Sequence, residues 1–60
     1  MKLIDVTSLK TIYYFPKKVF FNEALHLSGM KEFLEARTSE KFYKDKDGEM
    51  HYCNDLLLVD

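Results

Sequence analysis

The sequence predicts a small α+β domain: an antiparallel sheet with one helix, or a broken helix pair, packed on one face, in the order β-β-α-β-β-β. Three observations carry that reading. Residues 2–6 and 9–15 concentrate Ile, Val, Thr, Tyr and Phe, the residue types that fit a pleated, half-buried surface. Asp47-Gly48 stands between Phe42-Tyr43 and Met50-His51-Tyr52, a strong short-range hairpin signal because the turn needs left-handed backbone. Between these regions Leu27, Met30, Phe33 and Leu34 recur at helical spacing, with Glu32 and Glu35 opposite.

Taken in order, Lys2–Val6 alternates as a strand, and Thr7-Ser8 interrupts it by turn or cap. Leu9–Phe15 (LKTIYYF) reads as a second strand, with a helix capped at Thr7 or Ser8 as the rival. Pro16 closes it either way, having no N–H and holding Phe15 extended. Lys17–Phe21 is a short bridge. Asn22 is then the N-cap candidate for a helix over Asn22–Arg37, with Glu23 at its positive end and Arg37 at its negative end. Ser28-Gly29 lies in its middle, where Gly costs about 1 kcal/mol relative to Ala, so the segment divides into two short helices if Ser28 caps the second. In the hairpin, a two-residue turn sets Tyr43 beside Tyr52, whereas a three-residue loop with a Gly bulge sets Phe42 beside Tyr52. Asn54-Asp55 turns the chain into a last apolar strand, Leu56–Val59, buried or pairing with another chain.

Sixty residues allow one domain, residues 1–60, which hides only about 60% of its unfolded surface. Yet 47% of the residues are hydrophobic and 15% aromatic, more apolar material than one small core encloses, which points to a dimer or a binding partner. The lone Cys53 excludes an internal disulfide and suggests a reducing, cytoplasmic setting. The N-terminus does not read as a signal peptide, and no apolar run approaches the ~18–20 residues of a membrane span. The net charge is −1, divided as +3 over residues 1–22 and −4 over residues 23–60.

No constellation points to catalysis or a cofactor. His26, His51 and Cys53 are too few for structural zinc, which takes four ligands. Asp45-Lys46-Asp47-Gly48 places its glycine two positions early for an EF-hand loop. Cys53 lacks the electropositive setting of a reactive thiolate. The expectation is therefore a protein that is not an enzyme and has no metal or cofactor.

Two partner classes remain. The first is a larger protein, which this chain would bind as a regulator or inhibitor. Tyr13, Tyr14 and Phe15 are then the apolar anchors and Glu32 and Glu35 the charges that steer a basic partner. A short chain starting at Met with no catalytic set fits the accessory proteins of phages and mobile elements, and a homodimer is open. The alternative is nucleic acid. KTIYYFPKKVFF (10–21) and Lys41-Phe42-Tyr43-Lys44 interleave lysine with aromatic rings, and a winged-helix layout would use Met30–Arg37 as its recognition helix. Glu32 and Glu35 on that helix oppose phosphate.

Overall fold

The computed structural model describes all residues, Met1–Asp60. The chain is an α+β domain of two antiparallel three-stranded sheets and one helix. β1 (Lys2–Asp5), β2 (Lys10–Tyr14) and β6 (Leu56–Val59) form sheet A in the order β2-β1-β6. After α1 (Phe21–Leu27), β3 (Lys31–Leu34), β4 (Lys41–Lys44) and β5 (Met50–Tyr52) form sheet B in that order. No helix is long and apolar enough to cross a membrane.

Within the segment 9–15, Lys10–Tyr14 is a strand, as its β-branched and aromatic content implies. The turn before it is organised by Asp5, whose Oδ1 accepts the N–H groups of Thr7 (2.9 Å) and Ser8 (3.2 Å). Leu9 closes that turn at φ 58, an uncommon value for a residue with a Cβ. The β1–β2 ladder breaks register between Leu3 and Ile4, leaving Ile12 unpaired as a bulge. Beyond Tyr14 the chain folds over the N-terminus: the Phe15 N–H donates to the Met1 carbonyl at 2.7 Å.

The helix is shorter than its periodicity suggests and begins earlier. Its N-cap is Phe20, not Asn22, and the Glu23 carboxylate reaches back to accept the Phe20 N–H at 3.3 Å. It stops because Gly29 takes φ +78. The Gly29 N–H then bonds to the His26 carbonyl and the Met30 N–H to the Leu25 carbonyl, the paired bonds of a Schellman terminus. Leu25 is buried and Met30 packs against the same core, the apolar contact that accompanies this motif. Residues 30–37 are therefore neither helix nor second helix. Lys31-Glu32-Phe33-Leu34 is a strand on β4, with Phe33 opposite Phe42 and Glu32 opposite Tyr43. This removes the recognition helix of a winged-helix arrangement.

The β4–β5 hairpin adopts the three-residue loop: Phe42 pairs with Tyr52, Tyr43 with His51 and Lys44 with Met50. Gly48 supplies the left-handed residue (φ +80), and Asp45 Oδ1 accepts the N–H groups of Asp47 (2.9 Å) and Glu49 (3.0 Å). A short 3-10 turn, Cys53–Asp55, leads into β6.

The core lies between the inner sides of the two sheets and the helix. It comprises Leu3 and Leu56 from sheet A, Ala24 and Leu25 from α1, Tyr43 from sheet B, and Phe15 and Val19 from the bridge. Each sheet thereby keeps a second side turned outward.

Candidate functional site

The inner sides of the sheets are joined by a buried polar chain. Asp5 descends from β1, His51 from β5, and Asp45 from the end of β4. His51 is 1% exposed. Its Nδ1 lies 2.5 Å from Asp5 Oδ2 and its Nε2 2.8 Å from Asp45 Oδ2. With a carboxylate on each ring nitrogen, both satisfied only by N–H donors, the imidazolium is the favoured form. Burial works to lower the His51 pKa, but the hydrogen bonds to Asp5 and then Asp45 outweigh it and raise it above the ordinary value. Burial likewise pushes the two carboxyls up. The His51 bond, with backbone N–H groups, overcomes it and leaves Asp5 below the usual range and Asp45 at about 2.

Lys10 completes the chain from β2. Its Nζ lies 2.5 Å from Glu49 Oε2 and 3.2 Å from Asp45 Oδ2, and the Glu49 bond, then the Asp45 bond, raises its pKa. Asp45, Glu49 and His51 offer donor atoms within 4.8 Å of one another, a set that could hold a cation. The Lys10 ammonium sits among them and supplies the positive charge itself. An imidazole with a carboxylate at each end resembles part of a catalytic relay, but here both ring nitrogens are occupied by carboxylates. The arrangement acts as a tie between the sheets.

The outward sides are different. On sheet A, Lys2, Ile4, Leu57, Val59 and Tyr14 share one side through the pairs Lys2–Val59, Ile4–Leu57 and Lys2–Tyr14. Tyr14 is 70% exposed and Leu57 half exposed. The β6 edge beyond them pairs with nothing. The Val6 N–H to Asp55 carbonyl bond fixes the phase of the β1–β6 ladder, so Leu57 and Val59 bond inward to β1. The carbonyls of Leu56 and Leu58 and the Leu58 N–H point off the edge.

On sheet B a row of rings crosses all three strands. Phe33 stacks on Phe42 with centroids 5.3 Å apart, and Phe42 meets Tyr52 edge-on at 6.1 Å. Lys44 Nζ lies over the Phe33 ring, 5.3 Å from its centroid. One step along the strands on this side lie Lys31, Lys44 and Met50. One step the other way lie Glu35 and Glu40, joined by the Glu35 N–H to Glu40 carbonyl bond.

The residues expected to bind a partner are scattered by this fold. Tyr14 stands fully outward. Tyr13 is partly exposed, on the Leu3 side of β1–β2, with its ring 5.0 Å from Phe15 and the Lys46 ammonium over it. Phe15 is no surface anchor: at 5% exposure it belongs to the core, because the chain after β2 folds back over Met1. Glu32 and Glu35 do not share a helix face. Glu32 lies on β3 opposite Tyr43, accepts the Tyr43 hydroxyl at 3.3 Å and sits 3.7 Å from Lys41 Nζ. Glu35 follows β3 on the aromatic side and accepts the Arg37 N–H at 3.3 Å. Cys53 is half-buried in the 3-10 turn, outside the strands.

Asp5 and the ring row were not singled out from the sequence, and Asp45 was weighed only as the start of a calcium-type loop. The ring row was recoverable once a three-residue hairpin loop was assumed, since that register aligns Phe42 with Tyr52. The His51–Asp5 contact spans 46 residues and left no local signal. No family model, no curated protein and no solved structure matches this chain.

Proposed function

We propose that this chain is a non-enzymatic interaction module that regulates a larger protein by taking one of its extended segments as a fourth strand on sheet A. The observation that supports the reading is the β6 edge. An open sheet edge in a native protein is normally blunted by charge, proline, a bulge or extreme shortness. β2 carries Lys10 and the bulge at Ile12, β3 carries Lys31 and Glu32, and β5 has three residues. β6, Leu-Leu-Leu-Val, carries no charge, proline or bulge, and its outward side continues from exposed Leu57 through half-buried Ile4 to exposed Tyr14. Strand addition draws its affinity from backbone hydrogen bonds and its selectivity from alternate side chains against the neighbouring face. A partner segment with aliphatic residues at every second position suits Ile4, Leu57 and Val59.

The nucleic-acid alternative asks for ring faces free to stack on bases. The sheet B rings are turned against each other, with Phe42 stacked on Phe33 and an ammonium over Phe33, which leaves fewer faces for bases. Affinity capture from cell extract with the native chain and with Leu57→Lys tests the reading. A protein retained by the native chain and by Lys44→Glu, but lost with Leu57→Lys and weakened by Tyr14→Ala, supports it. Equal capture by native and Leu57→Lys chains, or recovery of nucleic acid that elutes steeply with salt, refutes it.

A further inference from the structure

We propose that the outward side of sheet B is a homodimer interface on which a second copy of this chain docks face to face. Charge is laid out in a definite order on either side of the ring row. At one end of the strands this side carries Lys31 and Lys44, and at the other Glu35 and Glu40, with Phe33, Phe42 and Tyr52 between. Lys31, Lys44 and Phe33 line one hollow, Glu35, Glu40 and Tyr52 another, so both charged groups border the rings. Lys46 and Asp45 border the basic hollow and Arg37 the acidic one, which leaves the first net positive and the second net negative.

A surface with a positive end, an apolar middle and a negative end is complementary to itself turned around. Consider a twofold axis lying between two such faces and running across the strands along the ring row. It sets Lys31 over Glu35 of the second copy and Lys44 over Glu40, twice each, while each ring row lies over its counterpart. That is the isologous geometry of a cyclic dimer. Sheets packed this way stand about 10 Å apart, the depth that interdigitated side chains fill. The outward side of sheet A lacks this pattern: it has one charged residue, Lys2, and nothing opposite in sign to meet it.

The size of the face sets the strength. Three strands at about 4.8 Å spacing and five residues at about 3.3 Å rise give a patch about 14 by 17 Å, smaller than a standard interface of about 800 Å² per partner. The dimer is therefore weak and reversible.

Sedimentation equilibrium from 10 µM to 1 mM tests it, with two double variants whose fold is checked by circular dichroism. Lys31→Glu/Lys44→Glu makes both ends of the face acidic, and Glu35→Lys/Glu40→Lys makes both ends basic. The native chain should dimerise, and each double variant alone should weaken dimerisation at least tenfold. An equimolar mixture of the two variants should recover it as a heterodimer that weakens with salt. A native chain that is monomeric at 1 mM overturns the proposal, as does a dimer insensitive to both double variants. A dimer abolished instead by Leu57→Lys assigns self-association to sheet A and also overturns it. Loss of dimerisation in both variants without recovery in the mixture removes the charge pairing on which the proposed orientation depends.

Discussion

The two sheets use the same architecture to present unlike surfaces. Each turns one side to water and the other, except along β3, to the core, and each has an outward side far more apolar than an antiparallel sheet facing solvent needs to be. Sheet A offers aliphatic side chains and an open backbone edge, with almost no charge. Sheet B offers a row of rings bracketed by lysines and glutamates, and its edges are guarded. The first suits a main-chain partner read by shape. The second suits a partner whose charges run in the opposite order. Where the sheets face each other the chemistry reverses, and the contact includes a carboxylate–imidazolium–carboxylate chain tied to Lys10. Surface apolarity and core polarity both depart from the ordinary pattern, and each departure has a physical consequence that can be measured.

The inner tie should give the largest effect. His51→Ala strips Asp5 Oδ2 of its donor and leaves Asp45 Oδ2 with Lys10 alone, and breaking a buried charge pair costs about 3–5 kcal/mol. In a domain this small that is most of the stability, so urea denaturation should find the variant largely unfolded at 25 °C. A loss under about 1 kcal/mol would show that the tie contributes little. Phe33→Ala, on the outward side of sheet B, should by contrast cost no more than about 1–2 kcal/mol, the lost ring pair and some area, while weakening dimerisation.

The pH dependence of that tie follows from its shifts. His51 is raised, so its contribution is complete below about 6.5, the value in the unfolded chain, and disappears as pH rises through the higher folded value. Asp5 and Asp45 are lowered, so their contribution is complete above 3.8 and is lost as pH falls, for Asp45 through about 2. The melting temperature should peak between these limbs, near pH 5–6, and decline on both sides. His51→Gln should flatten the alkaline limb. An unchanged alkaline limb in that variant would place the titrating group elsewhere.

Smaller effects separate the two glycine turns. Gly29 and Gly48 both have positive φ, so alanine strains each by about 1 kcal/mol. A Cβ at Gly29 would also meet Lys46 Cε at 3.2 Å, whereas at Gly48 it meets open space. Gly29→Ala should therefore destabilise somewhat more than Gly48→Ala in thermal melts. Leu57→Lys, at an exposed outward position, should change stability by less than about 0.5 kcal/mol.

Much of this fold was legible because its signals are local. Asp47-Gly48 marked the hairpin, since turn chemistry acts within four residues. The strands 2–5 and 10–14 followed from β-branched and aromatic content, and 56–59 from an apolar run after the Asn54-Asp55 turn. The helix end failed for an instructive reason. Ser28-Gly29 registered as a weak point inside a helix, but Gly29 is its stop, and Leu27, Met30, Phe33 and Leu34 satisfy the helical period by coincidence. Lys31-Glu32-Phe33-Leu34 becomes a strand because β4 is there to pair with it, a tertiary cause that no local window contains. Phe15 was misplaced as an anchor because its burial depends on the bridge folding over Met1. The site was legible only in kind. Surplus rings were evident from composition, but which of them face water depended on the register of β3, β4 and β5.

The central claim is that the outward side of sheet B is covered by a second copy of the same surface. A concentration series of 1H–15N correlation spectra, from 20 µM to 1 mM at pH 6, reads that surface residue by residue. The account predicts progressive shifts confined to the backbone amides of Lys31, Phe33, Glu40, Phe42, Lys44 and Tyr52, with Leu3 and His51 unmoved. Spectra that superimpose across the series, or shifts centred on Leu57 and Tyr14, would contradict it.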